Sequence, residues 1–309
     1  MSVKSAAAGA ARASRRPAVS ASASRVLWRI VFYAVSIAIS VFMFLPFFWS
    51  LITSLKPSDE IFSMPIRWLP SRLTLEHYRA AFTTVPFGLY FWNSLVLAVA
   101  GVAANLFFGS LSGFAFAKLN FKLNKPLFRV LLAAMMIPGI VTMIPSFYVL
   151  KHFPFAGGND WYGAGGNGFL NSFWGIILPG ASGSFAVFFM RQFFLTLPSD
   201  MMEMARIEGA GEFRIFWNIY WPLTKPALAT LGIFTFQAGW NSFLWPMIIL
   251  NDPDKATIQM GLQAFSYNHQ TDFGPMMAGA LIAILPILLL FLALQKYFVQ
   301  GIAFSGTKG

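Results

Sequence analysis

The sequence predicts an all-α fold: a polytopic membrane protein of six transmembrane helices. Three observations carry this. The 309 residues are 57% hydrophobic and only 11% charged, whereas a soluble domain carries about 25% charged residues. Six apolar runs approach or exceed the ~20 residues that a bilayer-crossing helix needs. Finally, Lys and Arg concentrate between alternate runs, as they do on the cytoplasmic side of membrane proteins.

The chain opens with residues 1–24, rich in Ala, Ser and Arg and without an acid. That composition fits a transit peptide or a disordered cytoplasmic tail, and it is read as the tail. The apolar run that follows exceeds the 7–15 residues of a signal-peptide core, so residues 25–309 are read as one membrane domain. Its first span is Leu27–Leu51, followed by the long outer loop 52–88. Leu89–Ala117 is the second span and Leu127–Leu150 the third, leading to outer loop 151–171. The fourth, Ser172–Met190, contains Pro179; in a bundle, neighbouring helices can satisfy the backbone groups that a proline frees. After loop 191–226 come the fifth span Ala227–Leu250, outer loop 251–272 and the sixth span Phe273–Leu294. Sixteen of the 22 Lys and Arg residues then lie on the side of the two termini, which predicts both termini in the cytoplasm.

Composition also excludes classes. There is no Cys, hence no disulfide and no thiolate metal site; no metal site is expected. The net charge of +11 comes without a basic stripe interleaved with aromatics outside the spans, so no nucleic-acid partner is expected. The middle of every span lacks ionisable residues, which argues against a proton-driven carrier, although sodium held by backbone carbonyls stays open. No G-x-x-x-x-G-K-[ST] loop exists to hold a nucleotide; the run Gly157–Gly166 is glycine-rich but has no Lys. His77, His152 and His269 are scattered over outer segments. The polar groups inside spans are uncharged: Asn93, Ser94, Asn105, Ser110, Gln237, Asn241 and Ser242. They suit a path for a hydroxyl-rich solute or hydrogen bonds between helices, and any single one is read as the latter.

One stretch interrupts the apolar pattern. Four of the eleven acidic residues fall between Asp200 and Glu212. Pro198-Ser199-Asp200 reads as a helix start, with Ser199 as cap and Asp200 favoured by the helix dipole. Glu203 and Arg206 have pairing distance along a helix. Gly209 and Gly211 break the run, a second helix is expected over Glu212–Trp221, and Pro222 and Pro226 end it and launch the fifth span. A helix of about nine residues is marginal alone and must dock. Small Ala205, Gly209 and Ala210 admit a close partner. The stretch reads as a cytoplasmic handle; an amphipathic helix on the lipid surface is the alternative, disfavoured by its acids beside an anionic leaflet.

These residues resemble the signature loop of permease subunits in binding-protein-dependent ABC importers, roughly E-A-A-x-x-D-G-A, five residues, then F-x-x-I-x-x-P-L-x-x-P. Here Glu203, Met204, Ala205, Glu208, Gly209, Ala210, Phe216, Ile219, Pro222, Leu223 and Pro226 keep that spacing; Met204 and Glu208 depart from it. Trp240–Pro246 (WNSFLWP), Ser54–Pro57 (SLKP) and the ending with Phe298, Gly301, Gly306, Lys308 and Gly309 resemble the carbohydrate branch, of the type of the maltose permease's smaller membrane subunit. The likeness runs from about residue 27 onward, with 155–168 looking like an insertion.

The resemblance implies a type I ABC importer permease fold and no enzymatic activity on this chain. It also implies coupling to a separate ATPase dimer, which binds ATP and Mg, through Glu203, Ala205, Glu208, Gly209, Ala210, Phe216, Pro222, Leu223 and Pro226. A second related permease and an extracytoplasmic solute-binding protein complete the expected partners. Asn93, Gln237, Trp240, Asn241 and Trp245 are the candidates for the substrate path. Gln259, Gln263, Tyr267 and Asn268 are the candidates for contact with the binding protein, and Asn159, Asp160, Trp161 and Tyr162 of the insertion are a second such set. Import of a sugar is the expected function; a non-sugar solute such as a glycerol phosphate derivative, or an ion-coupled carrier, is the alternative.

Overall fold

The first, second and sixth apolar runs fold as the longest helices. The computed structural model describes residues 19–267 and 270–306. Residues 1–18 of the tail, Asn268, His269, Lys308 and Gly309 lie outside the described residues. The chain divides at Ile52–Thr53 into two units, described separately. The first is α1 (Val19–Leu55) up to Ile52. This helix starts inside the stretch expected as tail and is apolar over Arg25–Leu55.

The second unit is organised around α3 (Phe87–Lys118). Along it pack α7 (Ser184–Thr196) and α11 (Lys225–Trp240), with α6 (Trp174–Gly180) and α13 (Ile258–Ala264) at its flanks. The long α14 (Phe273–Gly306) lies against α11 and against α2 (Glu76–Thr84), a short helix in the loop after α1. Close approach of α3 and α7 depends on the GSLSG run: a Cβ at Gly113 would lie 2.8 Å from the Met190 Cβ and 2.9 Å from the Arg191 nitrogen, and one at Gly109 2.7 Å from the Ala186 Cβ. This is the small-xxx-small device by which membrane helices bring their backbones together.

Three of the six expected spans are not single helices: the fourth is α6 followed, after residues 181–183, by α7. The third is α4 (Asn124–Met135) followed by α5 (Gly139–Lys151), bent by 111°. Pro138 accounts for the break, since it donates no hydrogen bond and disfavours helical geometry in the residue before it. The fifth is α11 followed, after Asn241–Phe243, by α12 (Leu244–Ile249). At 16 residues α11 is about 24 Å long, short of a ~30 Å hydrocarbon core. Among the described residues, four stretches are long and apolar enough to cross a membrane: Arg25–Leu55, Phe87–Lys118, Trp174–Thr196 and Phe273–Lys296; the bent pair makes a fifth. A two-residue antiparallel ladder, β1 (Ser266–Tyr267) with β2 (Gln270–Thr271), is a minor addition to the helical fold.

The segment between α1 and α2 is tied down by polar side chains. Glu60 accepts from the Ser71 backbone N–H (3.0 Å) and pairs with Arg67 (3.4 Å). The Ser71 bonds, helped by the Arg67 and Lys56 charges, hold its carboxyl below the usual carboxylate range. His77 is buried on α2 and its Nε2 donates to the Lys56 carbonyl (2.8 Å), a structural place for one of the three histidines.

Candidate functional site

The handle is α8 (Asp200–Ile207) followed by α9 (Glu212–Ile215). Met202 and Ala205 face inward, while Glu203, Met204, Ile207, Glu208 and Gly209 are exposed, Ile207 by 87%. Positions 203 and 207, and 204 and 208, are one helical turn apart, so they make one outward face.

What ends α8 is a Schellman turn. The Ala210 N–H reaches the Ala205 carbonyl (2.9 Å) and the Gly209 N–H the Arg206 carbonyl (3.0 Å), with Gly209 at φ +82°. That left-handed conformation is what glycine adopts at low cost at a helix C-terminus. The turn swings Glu212 back to Arg206, whose Nε and Nη2 both lie 2.8 Å from Oε1. Arg206 therefore ties α8 to α9 and does not pair with Glu203 as its helical spacing predicts. Ser199 also departs from expectation: its side chain makes no cap bond, and its Oγ instead meets Lys118 Nζ at 3.2 Å.

The second helix is shorter than expected. α9 gives way to a π turn, Phe216–Tyr220, and then to α10 (Trp221–Leu223). Pro222 explains the widening: it has no N–H for the carbonyl four residues back, and its ring crowds that carbonyl. Pro222 thus sits inside α10 and does not end the helix at Trp221, whereas Pro226 opens α11 as expected. The widened turn sends Phe216 and Tyr220 inward, both fully buried. Their rings lie 5.4 and 5.3 Å from that of Phe114 on α3. Tyr220 donates its hydroxyl to the Pro198 carbonyl (2.7 Å), and burial raises its pKa. Lys118, at the end of α3, donates to the Leu197 carbonyl (2.6 Å) and lies over the Tyr220 ring. The handle is therefore a rigid extension of α3, the central helix.

The nine expected coupling residues divide accordingly. Glu203, Glu208 and Gly209 are on the outside, Pro222 and Leu223 are exposed one turn before α11, and Ala210 and Pro226 are half-buried. Ala205 and Phe216 are buried supports. Lys118, Tyr220 and Arg206 were not singled out for a coupling role by the sequence. Their ties run to carbonyls and an acid brought close only by the turn at Gly209 and the packing on α3.

The expected path residues divide: Gln237, Trp240 and Asn241 share the end of α11, whereas Asn93 and Trp245 lie on other elements. Asn93 is buried and donates to the carbonyls of Asp254 (2.8 Å) and Ala256 (3.0 Å), tying α3 to the loop before α13. Trp240 is buried and donates to the Ala283 carbonyl of α14 (2.8 Å). Trp245 donates to the Gly175 carbonyl (3.2 Å). Gln237 and Asn241 remain exposed. A cleft of about 430 Å³ lies instead between α3, α6–α7 and α11, lined by Leu97, Asn105, Gly180, Gly183, Phe234 and Thr235 among others. Asn105 donates to the Gly180 carbonyl (2.6 Å) at the break between α6 and α7. No Asp, Glu, Lys, Arg or His lines this cleft.

Of the expected binding-protein contacts, Gln263 is exposed, and Gln259 leans on the Trp240 carbonyl (3.4 Å) and Asn241 Oδ1 (3.5 Å). Tyr267 lies in the ladder opposite Gln270.

Among the described residues, helices of membrane-spanning length and character dominate, and the comparisons give their family. The family described as binding-protein-dependent transport system inner membrane component matches residues 105–304. The arabinooligosaccharides transport system permease protein AraQ of Bacillus subtilis is 33% identical, over 92% of this chain and 97% of AraQ. The lactose permease protein LacG of Rhizobium radiobacter is 30% identical (88% and 94% covered). The sn-glycerol-3-phosphate permease protein UgpE of Yersinia enterocolitica is also 30% identical (89% and 96%). A crystal structure of a bacterial ABC transporter involved in import of the acidic polysaccharide alginate superposes with a TM-score of 0.75 at 22% identity, over 89% of this chain and 98% of that one. The chain belongs to the inner membrane components of binding-protein-dependent transport systems. It is a multi-pass permease subunit of the inner membrane, and not an enzyme.

Proposed function

We propose that this chain is one of two permease subunits of an ATP-driven sugar importer, with both termini in the cytoplasm. The observation that carries the coupling half of this reading is the exposed face of α8, Glu203, Met204, Ile207 and Glu208, held on a buried aromatic base. A separate ATPase dimer, holding ATP and Mg, grips this face. Its closure moves α8, and because α8 is clasped to α3 through Lys118 and Tyr220, the movement reaches the helices around the cleft. Glu203 and Glu208 supply charge for basic groups of the ATPase, and Met204 and Ile207 supply apolar contact area. A second permease completes the path, and an extracytoplasmic binding protein delivers the solute to the outer loops.

The sugar assignment is supported by the uncharged cleft, where Asn105 and Thr235 offer amide and hydroxyl groups, and by AraQ and LacG among the relatives. The likeness to UgpE favours a second reading, a glycerol phosphate derivative; an anion of that kind needs cationic groups from the second permease. The test is affinity purification of the tagged chain from solubilised membranes, with co-purifying chains identified by mass and the binding protein titrated with oligosaccharides and with glycerol 3-phosphate. An ATPase, a second permease and oligosaccharide binding are expected. Binding of glycerol 3-phosphate alone overturns the sugar reading, and a chain that transports without an ATPase overturns the coupling reading.

A further inference from the structure

The loop between α5 and α6 carries an ordered aromatic edge, and the geometry points to the bilayer's headgroup layer as what covers it. Its polar residues are turned to internal use. Asn159 is buried and donates to the carbonyls of Lys151 (2.8 Å) and Phe153 (3.0 Å), while its Oδ1 accepts from the Gly166 N–H (2.9 Å). Asp160 Oδ1 accepts from the N–H groups of Tyr162 (2.8 Å) and Ala164 (2.9 Å). The glycines are structural: a Cβ at Gly163 (φ +76°) or Gly168 (φ +57°) would lie 2.0 Å from the carbonyl oxygen of His152 or Leu150. The insertion is thus a folded loop seated on the last turn of α5, where the Phe169 N–H also bonds the Leu150 carbonyl (2.9 Å).

What the loop turns outward is aromatic. Phe155, Trp161 and Tyr162 are 70%, 69% and 87% exposed, and Phe155 meets Trp161 edge to face at 5.1 Å. This edge continues the exposed apolar face of α5, where Ile140, Val141, Ile144 and Tyr148 recur at helical spacing. Exposed Trp174 stands where the next span begins. Trp and Tyr with an apolar body and a polar tip, at the ends of membrane spans, are the residues that settle at the headgroup level. Charge argues the same way. Asp160 is the sole Asp, Glu, Lys, Arg or His between His152 and Arg191, so the loop lacks the charged rim that steers a protein partner. Because the loop is already ordered, inserting its edge costs little conformational freedom. The edge anchors the outer end of the bent α4–α5 pair against the lipid surface while other elements move.

The absence of cysteine makes the test direct. Single spin labels are placed by Trp161→Cys and Tyr162→Cys in the full chain, reconstituted into phosphatidylcholine–phosphatidylglycerol vesicles. Ile144→Cys serves as the lipid reference and Asn251→Cys as the water reference. At both loop positions, relaxation by oxygen is expected to exceed relaxation by a water-soluble nickel chelate, as at 144 and opposite to 251. Stronger relaxation by nickel at both positions overturns the proposal and leaves the edge open to a soluble partner. Shielding from both reagents overturns it in favour of a protein cover.

Discussion

Replacing Gly209 tests the coupling geometry without disturbing packing. A Cβ there meets nothing within 4 Å in this chain, so the strain within the chain comes from φ +82°. Placing an L-residue in the left-handed region costs about 1–2 kcal/mol, more for a β-branched side chain. A loss of that size lowers the equilibrium favouring the ordered turn by about 5–30-fold. The turn holds the Ala210–Ala205 bond and brings Arg206 to Glu212, so α8 loses its fixed angle to its base. Gly209→Val is expected to keep normal membrane abundance while ATP-driven uptake in proteoliposomes falls severalfold. Gly209→Asn is expected to fall less, since Asn tolerates this region. Gly211→Ala is the control: that site is equally open, but its φ of −74° suits any residue, and normal uptake is expected. Equal losses at 209 and 211, or normal uptake in Gly209→Val, would refute the reasoning.

Three further outcomes are expected. Gly113→Leu forces α3 and α7 apart at backbone contact and should cost about 1–3 kcal/mol, read as a lower unfolding midpoint in detergent. Trp240→Ala should destabilise by about 3–5 kcal/mol, because the ring is buried and its N–H serves the Ala283 carbonyl; altered solute selectivity at unchanged stability would return Trp240 to the path. The depressed pKa of Glu60 gives the segment 57–72 a pH window. A carboxyl with a lowered folded pKa stabilises fully above its unfolded pKa of about 4.3 and loses this as pH falls through the folded value. Protection of the Ser71 amide against hydrogen exchange, relative to its intrinsic rate, should therefore weaken as pH falls below about 4.3 and be reduced in Glu60→Gln at neutral pH; equal protection in the two proteins at neutral pH would contradict it.

The helical fold was legible because apolar run length is a direct consequence of bilayer thickness. Its interruptions were harder to read. Run length does not register the bend at Met136–Pro138, although Pro138-Gly139 is the local cause, nor the break at Asn241–Phe243. In the handle, residue spacing identified the acids and the glycine break, yet it paired Arg206 with Glu203. Helical spacing assumes a continuing helix, and the left-handed turn at Gly209 brings Glu212 closer. For the polar groups within spans the sequence left two readings, a solute path or hydrogen bonds between helices. A buried polar group needs a partner, and Asn93 and Trp240 find theirs in backbone carbonyls distant in sequence, which residue spacing does not register. The cleft itself had a signal in Pro179-Gly180, where a broken helix leaves a carbonyl for Asn105.

On the proposed function, a separate ATPase holds this permease by the outward face of α8. A photo-crosslinking residue at position 207, which is 87% exposed, tests this in native membranes, with adducts identified by mass. One dominant adduct with an ATP-binding protein, lost when that protein is deleted, is expected. Adducts with lipid alone, in a chain that still supports uptake, would contradict it and make α8 a surface helix of the membrane.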